Sequence, residues 1–441
     1  MDKYLSLRLL TGLAVLTSNR PWVANSGYIF ATTLVGSVLG FVFWTAASHL
    51  CSPAQIGLGA SLISAITLIA ALGDMGLGVM LVSYSSSFGK EQIAFFNTLL
   101  LVVASSTLAL TLVFIAGISW WSPALNGMLA SRSGLSIFVV GTLAFASALF
   151  YDRLFIARQA TRWVFWRSLL MHVSRLILLL AFLRGLGATG LLAAVGLGAL
   201  ISLAVSVWAF SPRALPGYHL RLTLNTAYLS GRIGYALGNH LSQLTWGLPP
   251  LIYPLLVAGM LGAEANAHFY TSWMVANLLF MIPLAVSTAS FAAASFAMAS
   301  FATTSSSAAL HLGPFWRAMR LSLLGLLPVT MAFMLFTRPV MQLFGDSYSA
   351  NYRLLVLFLA SVFPYTINTF VITAYRLGSH IRGLVCLSVS IAGLSIGLVA
   401  VLCGYLGLLG IGWGWLLAQT TGVLLACLGY LTSLRGRPPA Q

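Results

Sequence analysis

The hydrophobic positions of this chain fall into runs long enough to cross a bilayer, separated by short polar gaps. A hydrocarbon core of about 30 Å needs roughly 20 apolar residues per helix. On that measure the sequence predicts an all-α integral membrane protein of about twelve helices. The first six run Ala24 to Ser48, Gly57 to Tyr84, Ile93 to Ser119, Gly134 to Ala157, Val164 to Arg184 and Gly190 to Phe210. Six more run Ile233 to Met260, Phe269 to Ala294, Leu321 to Thr337, Leu354 to Tyr375, Leu384 to Tyr405 and Ile411 to Tyr430.

Charge then orients the spans. Of the 22 Lys and Arg residues, 17 lie in every second gap, four in the alternate gaps and one inside a span. That asymmetry is the positive-inside pattern. It places Lys3, Arg8, Arg20, Lys90, Arg153, Arg158, Arg162, Arg167, Arg213, Arg221, Arg232, Arg317, Arg320, Arg376, Arg382, Arg435 and Arg437 in the cytoplasm, with both termini. Arg132, Arg184, Arg338 and Arg353 fall outside. The net charge of +16 is therefore topology first and a hint about ligand second. With 59% hydrophobic and 6% charged residues and a mean hydropathy of +0.97, a soluble fold is excluded. Cys51 stands alone in a connection while Cys386, Cys403 and Cys427 lie in spans, so no disulfide framework or metal spacing exists.

Residues 1–23 open basic and then apolar, without a small-x-small cleavage site, and predict a helix lying on the cytoplasmic face. The longest internal polar connection, residues 211–231, contains Pro212, Pro216 and the segment HLRLTL and divides residues 24–210 from residues 232–432. Residues 433–441 form a cytoplasmic tail. Gly27-Tyr28 and Gly234-Tyr235 open corresponding spans, and SPAQIG and GAEANAH occupy corresponding turns. Two lobes of six helices follow, and an even helix count makes them a parallel repeat about the bilayer normal.

Ionisable groups inside spans are costly and point to function. Asp74, in ALGDMGLGVM, shares a helix face with Ser64, Thr67 and Ala71. That face either borders water, where Asp74 takes up protons, or Asp74 caps a neighbouring helix or pairs with an arginine. Arg175 lies on a stripe with Ser168 and His172. It is too deep to reach the headgroups and suits bidentate contact with a diphosphate, unless it serves as a structural partner. In span seven Arg232, Asn239, Gln243 and Trp246 fall on one face. His240 is beside them and, with His172, is a candidate proton carrier. Pro249, Pro250 and Pro254 remove three amides and mark a bend or hinge. Asn25, Tyr28, Tyr270 and Asn277 complete the substrate-contact candidates, and Asn368 is a further polar group with a packing alternative. Asp152 and Arg153 read as an interfacial ion pair.

Other chemistry lacks residues. There is no P-loop, no metal spacing, and only six acids in 441 residues, so neither a cofactor, a metal, catalysis nor nucleic-acid binding is expected.

Gly27 to Ser83, through SPAQIGLGASLISAITLIAALGDMGLGVMLV, resembles the first two helices of bacterial polysaccharide exporters of the O-antigen flippase (Wzx-like) type. There a short outer loop precedes an apolar run ending in D-x-G. FYTSWMVANLLFMIPLAVSTASF is similar to that family's eighth helix. The family belongs to the multidrug/oligosaccharidyl-lipid/polysaccharide exporter group, so the resemblance implies a MATE-like fold in a bacterial inner membrane. It also implies a substrate: an undecaprenyl-diphosphate-linked glycan flipped while its tail stays in membrane lipid, with other polysaccharide-assembly membrane proteins as partners. Asp74 matches the D-x-G position; the other candidates have no motif behind them. Ala24 to Ser48 lacks the acid of drug antiporters and the arginines of lipid II flippases. A proton- or cation-coupled exporter of small molecules and a membrane glycosyltransferase or polymerase remain the alternatives.

Overall fold

The computed structural model describes residues 20–230, 232–301, 312–377 and 381–435; the predicted interfacial segment before Arg20 and the end of the tail lie outside them. The described elements are helical. Eleven of these helices are long and apolar enough to cross a membrane. The expected seventh span forms as one helix, Ile233–Leu261.

We label the principal helices α1 (Arg20–Leu50), α2 (Pro53–Gly73), α3 (Leu77–Tyr84), α4 (Gln92–Ala116), α5 (Arg132–Ala157), α6 (Arg162–Val205), α7 (Ile233–Leu261), α8 (Ala263–Phe301), α9 (Leu312–Leu335), α10 (Tyr352–Ala360), α11 (Val362–Leu377), α12 (Ile381–Leu406) and α13 (Leu408–Arg435). Expected spans five and six both lie within α6, which reverses at Gly187, where φ is 51° and ψ −130°. Expected span ten is divided between α10 and α11.

Expected span two is likewise broken, into α2 and α3. The chain turns at Asp74, Met75 and Gly76, with φ of 48° at Met75 and 77° at Gly76. A glycine is required at 76 twice over. Its φ disfavours L side chains, and a Cβ there would meet the Ala236 carbonyl oxygen at 2.1 Å.

Two compact units result, and the chain passes between them several times. One gathers Met1–Phe43, Ile69–Ala116 and Met128–His240; the other gathers Trp44–Leu68, Gly117–Gly127 and Leu241–Gln441. In the first, Leu77, Leu81, Phe95, Phe96, Phe150, Tyr151 and Phe155 form a dry core under the linker. Tyr218 of the linker closes it, its hydroxyl 2.5 Å from that of Tyr151. The linker is further tied to α4, since Asn97 donates to the His219 carbonyl at 3.0 Å and Thr98 to that of Thr223 at 3.1 Å. In the second unit Tyr253, Trp273 and Trp415 meet edge to face, with Phe269, Phe280 and Phe358 around them. Leu112, Val113, Ile177, Leu324 and Val401 are exposed, as side chains bathed in lipid are.

Candidate functional site

Among the described residues of the first unit, three groups of charged side chains lie within the helices. The first lies at the α2–α3 break. Asp74 Oδ1 accepts the Gly78 amide at 3.2 Å and so caps the first turn of α3. Its Oδ2 lies 3.9 Å from Nδ1 of His240 on α7. Arg153 of α5 reaches the same carboxylate across Gly78, where a Cβ would meet Asp74 Oδ1 at 2.8 Å and Arg153 Cγ at 2.9 Å. The break thus does two things: it brings α7 within backbone contact and it aims the carboxylate at a histidine and an arginine. His240 Nε2 is buried and makes no hydrogen bond.

The second group joins α5 to α6. Arg167 Nε donates to Asp152 Oδ1 at 2.5 Å and Nη2 donates to Oδ2 at 2.6 Å, a planar fork on a planar acceptor. Arg167 is 3% exposed and Asp152 9%, so the pair is largely desolvated. This corrects the sequence reading: Asp152 does not pair with Arg153 at the interface, because Arg153 turns to Asp74 while Asp152 faces the following helix.

The third group is centred on Arg175 of α6. Arg175 lies thirteen residues after Arg162, about 20 Å along the α6 axis at 1.5 Å per residue. Its guanidinium carbon lies 4.8 Å from the Phe43 ring centroid of α1. A Cβ at Gly40 would lie 3.4 Å from Arg175 Nη2, and one at Gly36 would lie 3.1 Å from His172 Nε2. Two glycines four residues apart on α1 therefore admit a histidine and an arginine against bare backbone. Farther along the same two helices, Thr161 donates to Asn25 Oδ1 at 2.7 Å and Tyr28 lies 6.1 Å from Phe165. The ascending order of these pairs makes α1 and the first half of α6 parallel, as two odd-numbered spans should be.

The sequence-predicted residues are thus partly gathered. Asn25, Tyr28, His172 and Arg175 share the α1–α6 face, and Asp74 and His240 share the break. Arg232 lies over the rings of Tyr84 and Phe88, at 5.6 and 5.1 Å. In the second unit Tyr270 packs against Trp44 with ring centroids 4.7 Å apart and the planes tilted by 58°, and Asn277 is exposed. The side chains of Asn239, Gln243 and Trp246 lie outside the described residues. α7 remains helical through Pro249, Pro250 and Pro254, and Ser61 of α2 donates to the Pro254 carbonyl at 3.1 Å.

Sequence reasoning missed Gln419, whose backbone and side-chain oxygens both accept from Asn368 Nδ2, at 2.8 and 2.9 Å. It also missed Asn266, which donates to the Gly57 carbonyl at 2.7 Å and to Ser61 at 2.9 Å. Among the described residues no three His, Cys, Asp or Glu side chains are grouped to hold a metal.

Together the spans and their buried charges define a multi-pass integral membrane protein with a transporter fold. The chain belongs to the polysaccharide biosynthesis protein family, which it matches over residues 22–301. The fold is shared with solved members of the multidrug/oligosaccharidyl-lipid/polysaccharide exporter superfamily. Lipid II flippase MurJ, in an inward closed conformation, is 13% identical with a TM-score of 0.70, over 93% of this chain and 88% of that one. An inward-facing multidrug resistance MATE family transporter is 14% identical with a TM-score of 0.67, over 91% of this chain and 96% of that one. An outward-facing MATE transporter is 14% identical with a TM-score of 0.64, over 95% and 97%. No match was found among curated proteins.

Proposed function

We propose that this protein is a non-enzymatic flippase that moves an undecaprenyl-diphosphate-linked oligosaccharide from the cytoplasmic to the periplasmic leaflet of a bacterial inner membrane. The glycan serves O-antigen or exopolysaccharide assembly, both termini face the cytoplasm, and residues 24–210 and 232–432 act as the two lobes. The observation that carries this reading is Arg175, held with His172 at mid-span against the glycines of α1 in a chain of the polysaccharide biosynthesis family. A guanidinium at that depth costs roughly 2.5 to 3.5 kcal/mol on insertion scales, and its planar fork suits the oxygens of a diphosphate. Asn25, Tyr28, Arg232, Asn239, Gln243, Trp246, Tyr270 and Asn277 are the further substrate contacts, and the prolines of α7 are the hinge.

Deleting the gene is expected to leave complete diphosphate-linked repeat units on the cytoplasmic leaflet, measured by extraction and mass spectrometry. Incomplete units would indicate a glycosyltransferase, and normal pools with altered drug tolerance an exporter. Arg175→Ala is expected to lower transport about tenfold or more, the worth of one charged hydrogen bond. Membrane levels should be unchanged. Lysine at 175 restores charge but not the fork, so rescue should be partial.

A coupled mechanism is favoured by one contact, the 3.9 Å approach of His240 to Asp74. A proton shared there would link α7 to the α2–α3 break. In proteoliposomes Asp74→Asn is expected to abolish acceleration by an imposed pH gradient while leaving substrate binding intact; acceleration equal to the parent's sinks the coupling.

A further inference from the structure

The second unit contains a small, partly open cavity of about 10 Å³, lined by Thr245 and Pro249 of α7, Ile391 and Ala392 of α12, and Trp415 and Gln419 of α13. That is the space of about one water. Gln419 is fully buried and Trp415 is 4% exposed, yet Gln419 Nε2 and Trp415 Nε1 have no hydrogen-bond partner. They are one helical turn apart and face the same side of α13. The orientation of the Gln419 amide follows from its neighbour. The Gln419 backbone carbonyl only accepts, so the Asn368 atom 2.8 Å from it is Nδ2. The Gln419 atom 2.9 Å from that same Nδ2 is therefore Oε1, which leaves Nε2 for the cavity.

A donor is missing on the other wall. Pro249 has no N–H, so the Thr245 carbonyl loses the donor that an unbroken helix would supply four residues on. Two buried donors and one freed acceptor thus surround a space of one-water size, and each would cost free energy if left unmade.

We propose that a single buried water occupies this cavity, accepting from Gln419 Nε2 and Trp415 Nε1 and donating to the Thr245 carbonyl. It joins the proline segment of α7 to α13 and completes the hydrogen bonding that Pro249 interrupts. A monovalent cation is disfavoured there because the two buried side-chain atoms without partners, Gln419 Nε2 and Trp415 Nε1, are N–H donors.

The test is a double-mutant cycle on thermal unfolding of the purified, detergent-solubilised protein. Pro249→Ala returns an amide to the Thr245 carbonyl and so takes away the water's acceptor. Gln419→Leu removes one donor and also the bond from Asn368, but that second loss is common to both backgrounds and cancels. Gln419→Leu is expected to lower Tm by several degrees in the parent and by less than half as much beside Pro249→Ala. Equal losses overturn the proposal. If a variant does not reach the membrane, a structure of the parent at a resolution that shows ordered water decides. A discrete peak within about 3.2 Å of both nitrogens supports it, and an empty cavity overturns it.

Discussion

Replacing Arg167 by alanine is expected to destabilise the protein by about 3 to 5 kcal/mol, the cost of leaving one buried charge without its partner. Asp152 would keep a carboxylate in a site 9% exposed, with both fork hydrogen bonds gone and no solvent to replace them. Thermal unfolding in detergent and the amount of protein in the membrane measure this. The companion experiment is Asp152→Leu with Arg167→Leu. Removing both charges removes the penalty along with the attraction, and such replacements are often neutral or stabilising. Recovery in the double variant would establish that the loss in Arg167→Ala comes from leaving Asp152 unpaired. An Arg167→Ala protein within about 1 kcal/mol of the parent would mean that water reaches Asp152, contrary to its burial.

That contrast separates two arginines eight residues apart on one helix. Arg167 is argued to hold the scaffold and Arg175 the ligand, so the first substitution should remove protein and the second should remove only transport. Depth alone could not have told them apart. Arg167 falls near the span's end and was counted among the orienting charges, whereas its burial arises from an acid on the preceding helix.

The positions of the spans were legible because each is a long apolar run and because alternation of Lys and Arg checks every count against the next. What the runs conceal is a change of backbone inside them. Nothing in the hydrophobicity of LGDMGLG announces the left-handed turn at Met75 and Gly76, yet that turn brings Asp74 within reach of His240. Partner choice was the other blind spot. Asp152 and Arg153 are sequence neighbours, but successive helix residues point about 100° apart and so address different helices. A usable signal existed: Asp152 and Arg167 are equidistant from the Gln159–Ala160 turn, where Gln159 has a φ of 52°. Two helices folded back about that point place the two side chains opposite each other. Gln419 gave no such signal, since one amide in an apolar helix reads as packing until Asn368 and the proline segment are placed around it.

The largest steric effect is expected at Gly57. A Cβ there would lie 1.6 Å from the Ala263 carbonyl oxygen and 2.6 Å from its carbon, a collision with backbone that no rotamer change relieves. For Gly57→Ala the start of α2 must move away from the start of α8. Asn266 then loses the Gly57 carbonyl, and its bond to Ser61, which itself donates to the Pro254 carbonyl, is pulled apart. Three buried hydrogen bonds at about 1 kcal/mol each, with the packing around them, put the loss at roughly 3 kcal/mol or more. Gly393→Ala is the control, since a Cβ within α12 meets nothing within 4 Å. There the same change should be neutral or stabilising by up to about 1 kcal/mol, the ordinary gain of alanine over glycine inside a helix. Unfolding temperatures of the two variants measured side by side test the contrast. If Gly57→Ala is as stable as Gly393→Ala, α2 and α8 are not in backbone contact, and the hydrogen bonds that tie Asn266 and Ser61 to the proline segment of α7 do not hold the second unit together.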